Sequence, residues 1–416
     1  MIYLDHAAAT PVDPRVLKVM LPYFSEKFAN PSAVYQFALQ NRQAIDGARK
    51  RVADILNCKA NEIYFTGSGT ESNNWAIFGT AGAAATCRHQ TDSAESAGAQ
   101  KGRSGHLITS VVEHHSVLYP FEELERRGWK VTYLNVDEHG RVSLEKLKKA
   151  LTPETALVSI AYANNEIGTV ENIAEIGKFL KEYREQNANS AGKGAGTLFH
   201  TDACQAAGAL SINVKDLHVD LMTINGGKIY GTKGSAVLYI RDKVKIVPLL
   251  YGGGQEHRQR AGTENVAGIV GFAEALEIAE TMRVHEAARL TQLRDKLIAG
   301  LQTKIPKTRL NGDPVNRLPN NISISFEGVD AESLLLRLDM AGVCASAGSA
   351  CTSGALEPSH VLMALGIKTK SDIAQSTIRM TLGRENTDKE IEKLLKIIPP
   401  IVESLRTPRG NAKARP

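Results

Sequence analysis

Between about residues 60 and 240 the chain alternates short apolar segments with longer amphipathic ones, and this alternation limits the possible folds more than any other feature. Runs such as "EIYF", "HLITSVV" and "ALVSIAYA" are typical of buried strands, whereas "IAEIGKFLKEYREQ" has a helical repeat. Strands that are joined through helices pair in parallel, and the helices then cover both faces of the sheet. The sequence therefore predicts an α/β domain with a mainly parallel sheet.

The rest of the chain has a different pattern, which indicates a second and smaller domain. After residue 255, two long helical patterns, "TENVAGIVGFAEALEIAETM" and "HEAARLTQLRDKLIAGLQ", precede the strand pattern "NNISISF". Another helix, a strand around "TIRMTLG" and a last helix follow, which is typical of an α+β unit. We expect a large domain over 13–255, a small domain formed by 1–12 and 256–406, and a disordered tail over 407–416.

Composition and charge exclude several classes of protein. The 416 residues carry a net charge of +5, much of it in the tail "TPRGNAKARP", so no nucleic-acid surface is predicted. The start "MIYLDHAAAT" does not resemble a signal peptide, and no apolar run of about 18 residues predicts a membrane span. Five cysteines without a CxxC pair favour free thiols in a reducing compartment, so we expect a cytoplasmic protein. Polar, glycine-rich stretches around 84–105 and 186–196 predict mobile surface loops.

Three motifs at predicted strand ends point to one site, because open parallel sheets bind ligands beyond the carboxyl ends of their strands. "TGSGTESNN" places Gly69 and Thr70 at the start of a helix, where backbone N–H groups suit a phosphate. "LFHTDACQ" ends a strand at Asp202, and "LMTINGGKIYG" ends another just before Lys228. Alone, each is more commonly a turn, a helix cap or a solvated lysine. Together they suit pyridoxal 5′-phosphate (PLP), which a lysine holds as a Schiff base while an acid keeps the ring nitrogen protonated.

Nine sequence blocks in a fixed order resemble the cysteine desulfurases of the nitrogen-fixation and iron–sulfur-cluster type, within the class-V aminotransferase superfamily. The blocks are "YLDHAAATPVDPRV", "TGSGTESNN", "EHHSVL", "NNEIGTV", "HTDACQAAG", "GGKIYGTKG", "GGGQEHRQRAGT", "GSACTSGALEPSHVLMALG" and "IRMTLGR". They cover nearly the whole chain outside the two loops and the tail. The resemblance implies the PLP-dependent transferase fold type I, with a mainly parallel seven-stranded sheet between helices in the large domain.

The resemblance also implies how the cofactor is bound. Lys228 would carry the cofactor, Asp202 would pair with its ring nitrogen, and Gln205 with its ring hydroxyl, while His114 would stack on the ring. The other positions that the resemblance assigns to the cofactor are Asn165 near the ring hydroxyl and the substrate carboxylate, Gly69, Thr70 and Asn225 at the phosphate, and Thr263 at the phosphate of the neighbouring subunit. The last position implies a homodimer.

Arg379 and Cys351 would act on the substrate, which the resemblance implies is L-cysteine. Arg379 would clamp its carboxylate, a role that suits a planar bidentate donor. Cys351, in the small and polar "SAGSACTSG", would be the nucleophile on a mobile loop and would take the sulfur as a persulfide, leaving L-alanine. Lys228 would remove the α proton, and His114 would serve as an acid–base group near the thiol.

The sulfur would pass to an iron–sulfur scaffold or to a tRNA-thiolation protein. No resident metal is implied, and whether Cys351 transiently ligates a nascent cluster stays open. Two other functions also stay open. One is a selenocysteine lyase or another class-V PLP enzyme, and the other is a cofactor-poor binding partner. The cysteine block favours the desulfurase over a lyase or another class-V enzyme. The presence of the residues assigned to the cofactor and the substrate argues against a cofactor-poor binding partner.

The sequence departs from the family immediately before the lysine. The family usually has Ser-Gly-His there, and both the serine and the histidine bind the phosphate, whereas this chain has Asn-Gly-Gly before Lys228. Asn225 can replace the serine through its amide, but Gly227 has no side chain that could replace the histidine. A hydrogen bond to a charged group is worth roughly 1.5–3 kcal/mol. Arg258 and Arg260 are candidates for compensating charge.

Overall fold

The computed structural model describes residues 1–89, 105–187, 196–347, 359–367 and 374–406. Cys351, the tail over 407–416 and most of the two expected surface loops lie outside these described residues. The helix Gly69–His89 continues past residue 84, so the first of those loops begins later than the sequence predicts. No helix in the described ranges is long and apolar enough to cross a membrane.

Strands form three sheets. In chain order the strands are β1 Ile2–Tyr3, β2 Ile63–Thr66, β3 His106–Ser110, β4 Lys130–Leu134, β5 Thr155–Ser159, β6 Leu198–Asp202, β7 Leu221–Asn225, β8 Ala236–Ile240, β9 Thr308–Leu310, β10 Asn321–Phe326, β11 Val343–Cys344 and β12 Thr377–Thr381. Seven of them form the large sheet in the order β2-β8-β7-β6-β5-β3-β4. Neighbours from β7 to β4 are parallel, and β8 is antiparallel to both β7 and β2. The predicted seven-stranded, mainly parallel sheet is confirmed.

Helices cover both faces of the large sheet. In chain order the helices and helical turns are α1 Pro14–Met20, α2 Pro22–Ser25, α3 Gln36–Leu56, α4 Gly69–His89, α5 His115–Arg126, α6 Leu144–Ala150, α7 Ile173–Asn187, α8 Val214–Leu217, α9 Gln255–Arg258, α10 Val266–Lys304, α11 Ala331–Met340, α12 His360–Ala364 and α13 Asp388–Arg406. Side chains alternate between the two layers along each strand, as the pleat requires. In β3, Leu107 packs with Trp75 of α4, whereas Ile108 packs in the opposite layer with α3, α7 and α10.

The two helical patterns after residue 255 are one continuous helix, α10, of 39 residues. No proline lies between them, so nothing in the sequence ends the first helix. The part of α10 up to Ala279 packs in the core of the large sheet, whereas Leu290 to Leu301 pack in a separate core with β10 and α13. That second core also contains Ile2 and Leu4 from the N-terminal segment. The expected domain limits stay a prediction.

The strand order brings distant parts of the sequence to one edge of the large sheet. Because β2 and β7 are both antiparallel to β8, β2 ends at the same edge as the parallel strands. Gly69 follows β2, His114 follows β3, Asn165 follows β5, Asp202 ends β6, and Lys228 follows β7. This edge is where a parallel sheet of this kind binds ligands.

Candidate active site

A cavity of about 360 Å³ opens at this edge of the sheet. Its lining brings together most of the residues that the sequence predicts for the site. Those residues are Gly69, Thr70, His114, Asn165, Asp202, Gln205, Asn225, Lys228 and Arg379. Thr263 is not part of the described lining and lies exposed elsewhere on the surface. Cys351 lies outside the described residues.

Lys228 ends the tight turn Gly226–Lys228, and the first position of this turn has room only for glycine. A Cβ added to Gly226 would lie 2.8 Å from the Ser235 hydroxyl oxygen and 3.0 Å from the Ser235 carbonyl oxygen. The Lys228 ammonium donates to the carbonyl oxygens of Ala7 and Ala8 at 2.7 and 2.6 Å. Backbone carbonyls of the N-terminal segment therefore hold the amine at the cavity, a contact that the sequence analysis missed.

Asp202 keeps both of its oxygens hydrogen-bonded. Oδ1 accepts from the backbone N–H of Cys204 at 2.9 Å, and Oδ2 accepts from the side-chain amide of Asn73 at 2.7 Å. Both donors stabilise the negatively charged carboxylate, which is the form needed beside a protonated ring nitrogen. Asn73 is buried and lies one turn into α4, in the block "TGSGTESNN".

His114 lies at the start of α5 with its ring at the cavity. Its Nδ1 accepts from the backbone N–H of Ser116 at 3.1 Å and lies 2.7 Å from the Ser116 hydroxyl. Behind it, the buried carboxyl group of Glu113 accepts from the Ala161 backbone N–H at 3.0 Å. Burial raises the pKa of Glu113 to about 8.

The phosphate end of the cavity is formed by Gly69 and Asn225. Asn225 Oδ1 accepts from the backbone N–H of Gly227 at 3.1 Å, so the other atom of the amide, Nδ2, faces the start of α4. Asn225 Nδ2 lies 3.5 Å from the position that a Cβ of Gly69 would occupy. Asn225 is thus oriented as a donor. Arg260 is bound by Glu71 through two hydrogen bonds of 2.8 and 3.1 Å, so its charge is already paired.

Arg379 is buried, with 3% of its side chain exposed, and is held between two chain segments. Its guanidinium donates to the carboxylate of Asp5 at 2.8 Å and to the carbonyl oxygen of Asn165 at 3.1 Å. Its Nε has no hydrogen-bond partner among the described residues. No local sequence signal marks Asp5 as part of the site, although it lies in the block "YLDHAAAT".

Cys204 is unsuited to act as a nucleophile. It is half-buried beside Asp202, and desolvation, followed by the charge of Asp202, raises the pKa of its thiol well above the usual value. A neutral thiol is a weak nucleophile, so a packing role fits this residue. Within the described part of the chain, no cluster of three or more histidine, cysteine or acidic side chains could hold a metal ion.

The residues that line the cavity fit PLP. A Cβ on Gly69 would lie 2.9 Å from Cys204 Sγ and 3.4 Å from Asn225 Cβ, so the absence of a side chain keeps space open at the start of α4. Backbone N–H groups at the start of this 21-residue helix favour a phosphate in that space. An amine from Lys228 and a carboxylate from Asp202 lie on the same cavity.

Several known proteins resemble this chain in sequence and in fold. The sequence model of the family "Aminotransferase class-V" matches residues 2–394. A cysteine desulfurase, IscS, of Methanosarcina thermophila is 47% identical over 406 residues, which cover 97% of this chain and 93% of the relative. A solved NifS-like protein superposes with a TM-score of 0.84 at 34% identity, over 97% of this chain and all of that one (100%). SspA, solved in complex with cysteine, superposes with a TM-score of 0.75 at 34% identity, over 92% of this chain and 99% of that one.

Proposed function

Because this chain belongs to the class-V aminotransferase family, and within it to the cysteine desulfurases, we propose that it removes sulfur from L-cysteine with PLP as cofactor. L-alanine leaves, and the sulfur remains as a persulfide on Cys351. The observation that carries the proposal is the convergence of Lys228, Asp202 and Arg379 on one cavity. An amine, a carboxylate and a buried guanidinium are the groups that a PLP enzyme acting on an amino acid requires.

Each of these residues has a defined task in the proposed reaction. When bound, PLP supplies an electron sink for the charge that develops at the substrate α carbon. Lys228 would hold the cofactor, and its amine, when free, would remove the α proton of the substrate. Asp202 keeps the ring nitrogen protonated. Arg379 and Asn165 bind the substrate carboxylate, and Gln205 binds the ring hydroxyl.

Cys351 completes the sulfur transfer. Its thiolate attacks the substrate sulfur, so that a bond forms between the two sulfur atoms while the bond between the substrate β carbon and its sulfur breaks. The electron pair of the broken bond stays with the carbon fragment, which leaves as alanine after protonation. A reducing compartment such as the cytoplasm keeps this thiol available, and an iron–sulfur scaffold or tRNA-thiolation protein then accepts the sulfur.

The proposed phosphate site includes Gly69, Thr70 and Asn225 of one subunit and Thr263 of the other, which requires a homodimer. An exposed pair of aromatic side chains supports this arrangement, since exposed apolar patches mark interaction surfaces. Phe28 and Phe37 are 69% and 39% exposed, and their rings pack edge-on at 5.4 Å between centroids. Sedimentation should give twice the chain mass of 45.0 kDa.

The proposed activity is tested by colour and by sulfide release. Purified protein reconstituted with PLP should show the visible absorption band of a lysine-bound cofactor and release sulfide from L-cysteine in the presence of a thiol reductant. Lys228→Ala should lose both. Lys233→Ala is the matched control, because Lys233 is an exposed lysine in the same connection between β7 and β8, and it should keep both. Turnover of selenocysteine without turnover of cysteine would instead support a lyase.

A further inference from the structure

A chain of hydrogen bonds joins Asp202 to His114 through two residues that have no assigned role. Asn73 is 1% exposed, and its amide nitrogen lies 2.7 Å from Asp202 Oδ2 and 2.8 Å from the Ser116 hydroxyl oxygen. An amide nitrogen carries two hydrogens, so it can donate one to each. Asn73 therefore contacts both the Asp202 carboxylate, which would pair with the ring nitrogen of the cofactor, and the Ser116 hydroxyl, which contacts the His114 imidazole.

The orientation of the Asn73 amide is fixed by Asp202. A carboxylate only accepts hydrogen bonds, so rotating the amide by half a turn would bring two acceptors to 2.7 Å. Asn73 Oδ1 is buried without a partner among the described residues, which costs free energy. The rotated amide would leave Asp202 and Ser116 without their donor and would not remove that cost.

The orientation of Asn73 in turn fixes the protons on Ser116 and His114. Because the Ser116 oxygen accepts from Asn73, its own hydrogen is available for His114 Nδ1 at 2.7 Å. The backbone N–H of Ser116 also donates to Nδ1, at 3.1 Å. An imidazole nitrogen that receives two donors carries a lone pair, so the proton of the neutral ring is on Nε2.

We propose that Asn73 and Ser116 are positioning residues that hold His114 as the neutral Nε2–H tautomer. In this form His114 donates a hydrogen bond in the site and does not act as the base that removes the α proton of the substrate. The inference rests on the proposed function, because it concerns the division of tasks in that reaction. If Nδ1 were protonated, its hydrogen would point at the hydroxyl and the backbone N–H of Ser116, both of which donate to that atom. The α proton is therefore left to Lys228.

Other titratable groups also face the His114 ring. Glu113 precedes His114 in the chain and interacts with it electrostatically, whereas Asp202 lies beyond Asn73. A negative charge on either favours a proton on the ring. The ring of His115 has its centroid 6.3 Å away, and its charge would oppose that proton. The two donors at Nδ1 act directly on the atom that would take the proton. Substitution of a donor therefore separates its effect from that of the surrounding charges.

The tautomer is measurable by nitrogen NMR of the PLP-loaded enzyme labelled with ¹⁵N-histidine, with the His114 signals identified by their loss in His114→Gln. The wild-type ring should show a protonated Nε2 and an unprotonated Nδ1 across the pH range in which a free histidine titrates. Ser116→Ala removes one of the two donors and should raise the imidazolium fraction at a given pH by roughly 2- to 10-fold. Ser116→Thr restores the hydroxyl and should restore the wild-type signals.

The steady-state rates provide a second reading. Ser116→Ala should move the acidic limb of the kcat profile to higher pH, with KM for L-cysteine unchanged. Ser143→Ala, which removes a capping serine from the distant helix α6, should alter neither signals nor rates. A wild-type ring protonated at Nδ1, or Ser116→Ala signals equal to wild type, would overturn the inference. Failure of the wild-type enzyme to release sulfide would overturn the proposed function and leave the tautomer result standing.

Discussion

Asp5 and Arg379, 374 positions apart in sequence, form an ion pair of 2.8 Å at the cavity. The pair ties the proposed substrate clamp to the N-terminal segment whose carbonyls hold Lys228. A buried guanidinium needs a counter-charge, and Asp5 provides it while no substrate carboxylate is bound.

Asp5→Asn keeps the shape of this contact and removes its charge. We expect the free energy of unfolding to fall by about 1–3 kcal/mol, because Arg379 then lacks its counter-charge. A bound amino-acid carboxylate should restore part of the loss, so L-alanine should stabilise the variant more than it stabilises wild type. Urea unfolding with and without L-alanine measures both effects. Asp54→Asn, in the exposed pair with Lys50, should change stability by less than about 1 kcal/mol. An Asp5→Asn change no larger than this would mean that Asp5 does not stabilise the buried charge of Arg379.

Glu113 should make the fold less stable as pH rises. Its pKa is raised by burial from 4.5 to about 8, so the folded state keeps a proton that the unfolded state loses between these values. The free energy of unfolding should therefore fall across this window, by up to about 1.4 kcal/mol per pH unit for one such group. Glu171, whose pKa burial also raises to about 8, acts in the same direction.

Glu113→Gln should reduce the slope of the free energy of unfolding against pH by the contribution of one titrating group. Urea unfolding at several values between pH 5 and 8 measures the slope. Glu182→Gln, at an exposed position of α7, should leave the slope unchanged. Equal slopes for Glu113→Gln and wild type would mean that the Glu113 carboxyl group does not retain its proton.

Gly227→His should tighten cofactor binding. A Cβ at this position meets Lys233 Cγ at 3.5 Å and Asn225 Oδ1 at 3.6 Å, which are ordinary contacts, so the turn has room for a side chain. One added hydrogen bond to the phosphate should slow PLP loss during dialysis by roughly 10- to 150-fold. Gly226→Ala, its neighbour on the turn, should destabilise the fold because its Cβ would lie 2.8 Å from the Ser235 hydroxyl. Unchanged PLP retention in Gly227→His would show that the phosphate already has all its donors.

The pair of Arg49 and Glu256 should hold the segment that leads to Thr263. Glu256, His257 and Arg258 have φ values of 44°, 56° and 64°, a left-handed conformation that costs roughly 1–2 kcal/mol per residue. Arg49 binds the Glu256 carboxylate through two hydrogen bonds of 2.7 Å, with both side chains buried.

Arg49→Met leaves the Glu256 carboxylate buried without its partner, so we expect a loss of about 3–5 kcal/mol in the free energy of unfolding. Because the segment leads to the proposed dimer contact, the subunits should also dissociate more readily on dilution. Arg51→Met, which breaks partly exposed pairs with Glu274 and Glu277, should cost less than about 1 kcal/mol. Similar losses in the two variants would show that the Arg49 pair does not hold the segment.

The parts of the fold and site that the sequence predicts are those with local signals. Alternating apolar runs predict the large sheet, and strand ends predict the positions of Asp202 and Lys228. Long-range partners have no such signal: Asp5 reaches Arg379 only because the N-terminal segment packs in the second core with β10 and α13. Asn73 lies within a predicted block, yet its role depends on the distance between α4 and the end of β6. The apolar pattern predicts two helices where the structure has α10 alone, because the buried face of α10 changes from one core to the other along its length.

The most direct test of the proposed function is a single turnover with isotopically labelled L-cysteine. The PLP-loaded enzyme is mixed with less than one equivalent of substrate, alkylated, digested and analysed by mass spectrometry, while alanine is quantified in the same sample. The proposed chemistry predicts one labelled sulfur on Cys351 for each alanine formed, with none on Cys204 or Cys344. Alanine formed without label on Cys351, or label on Cys351 that persists in Lys228→Ala, would contradict it.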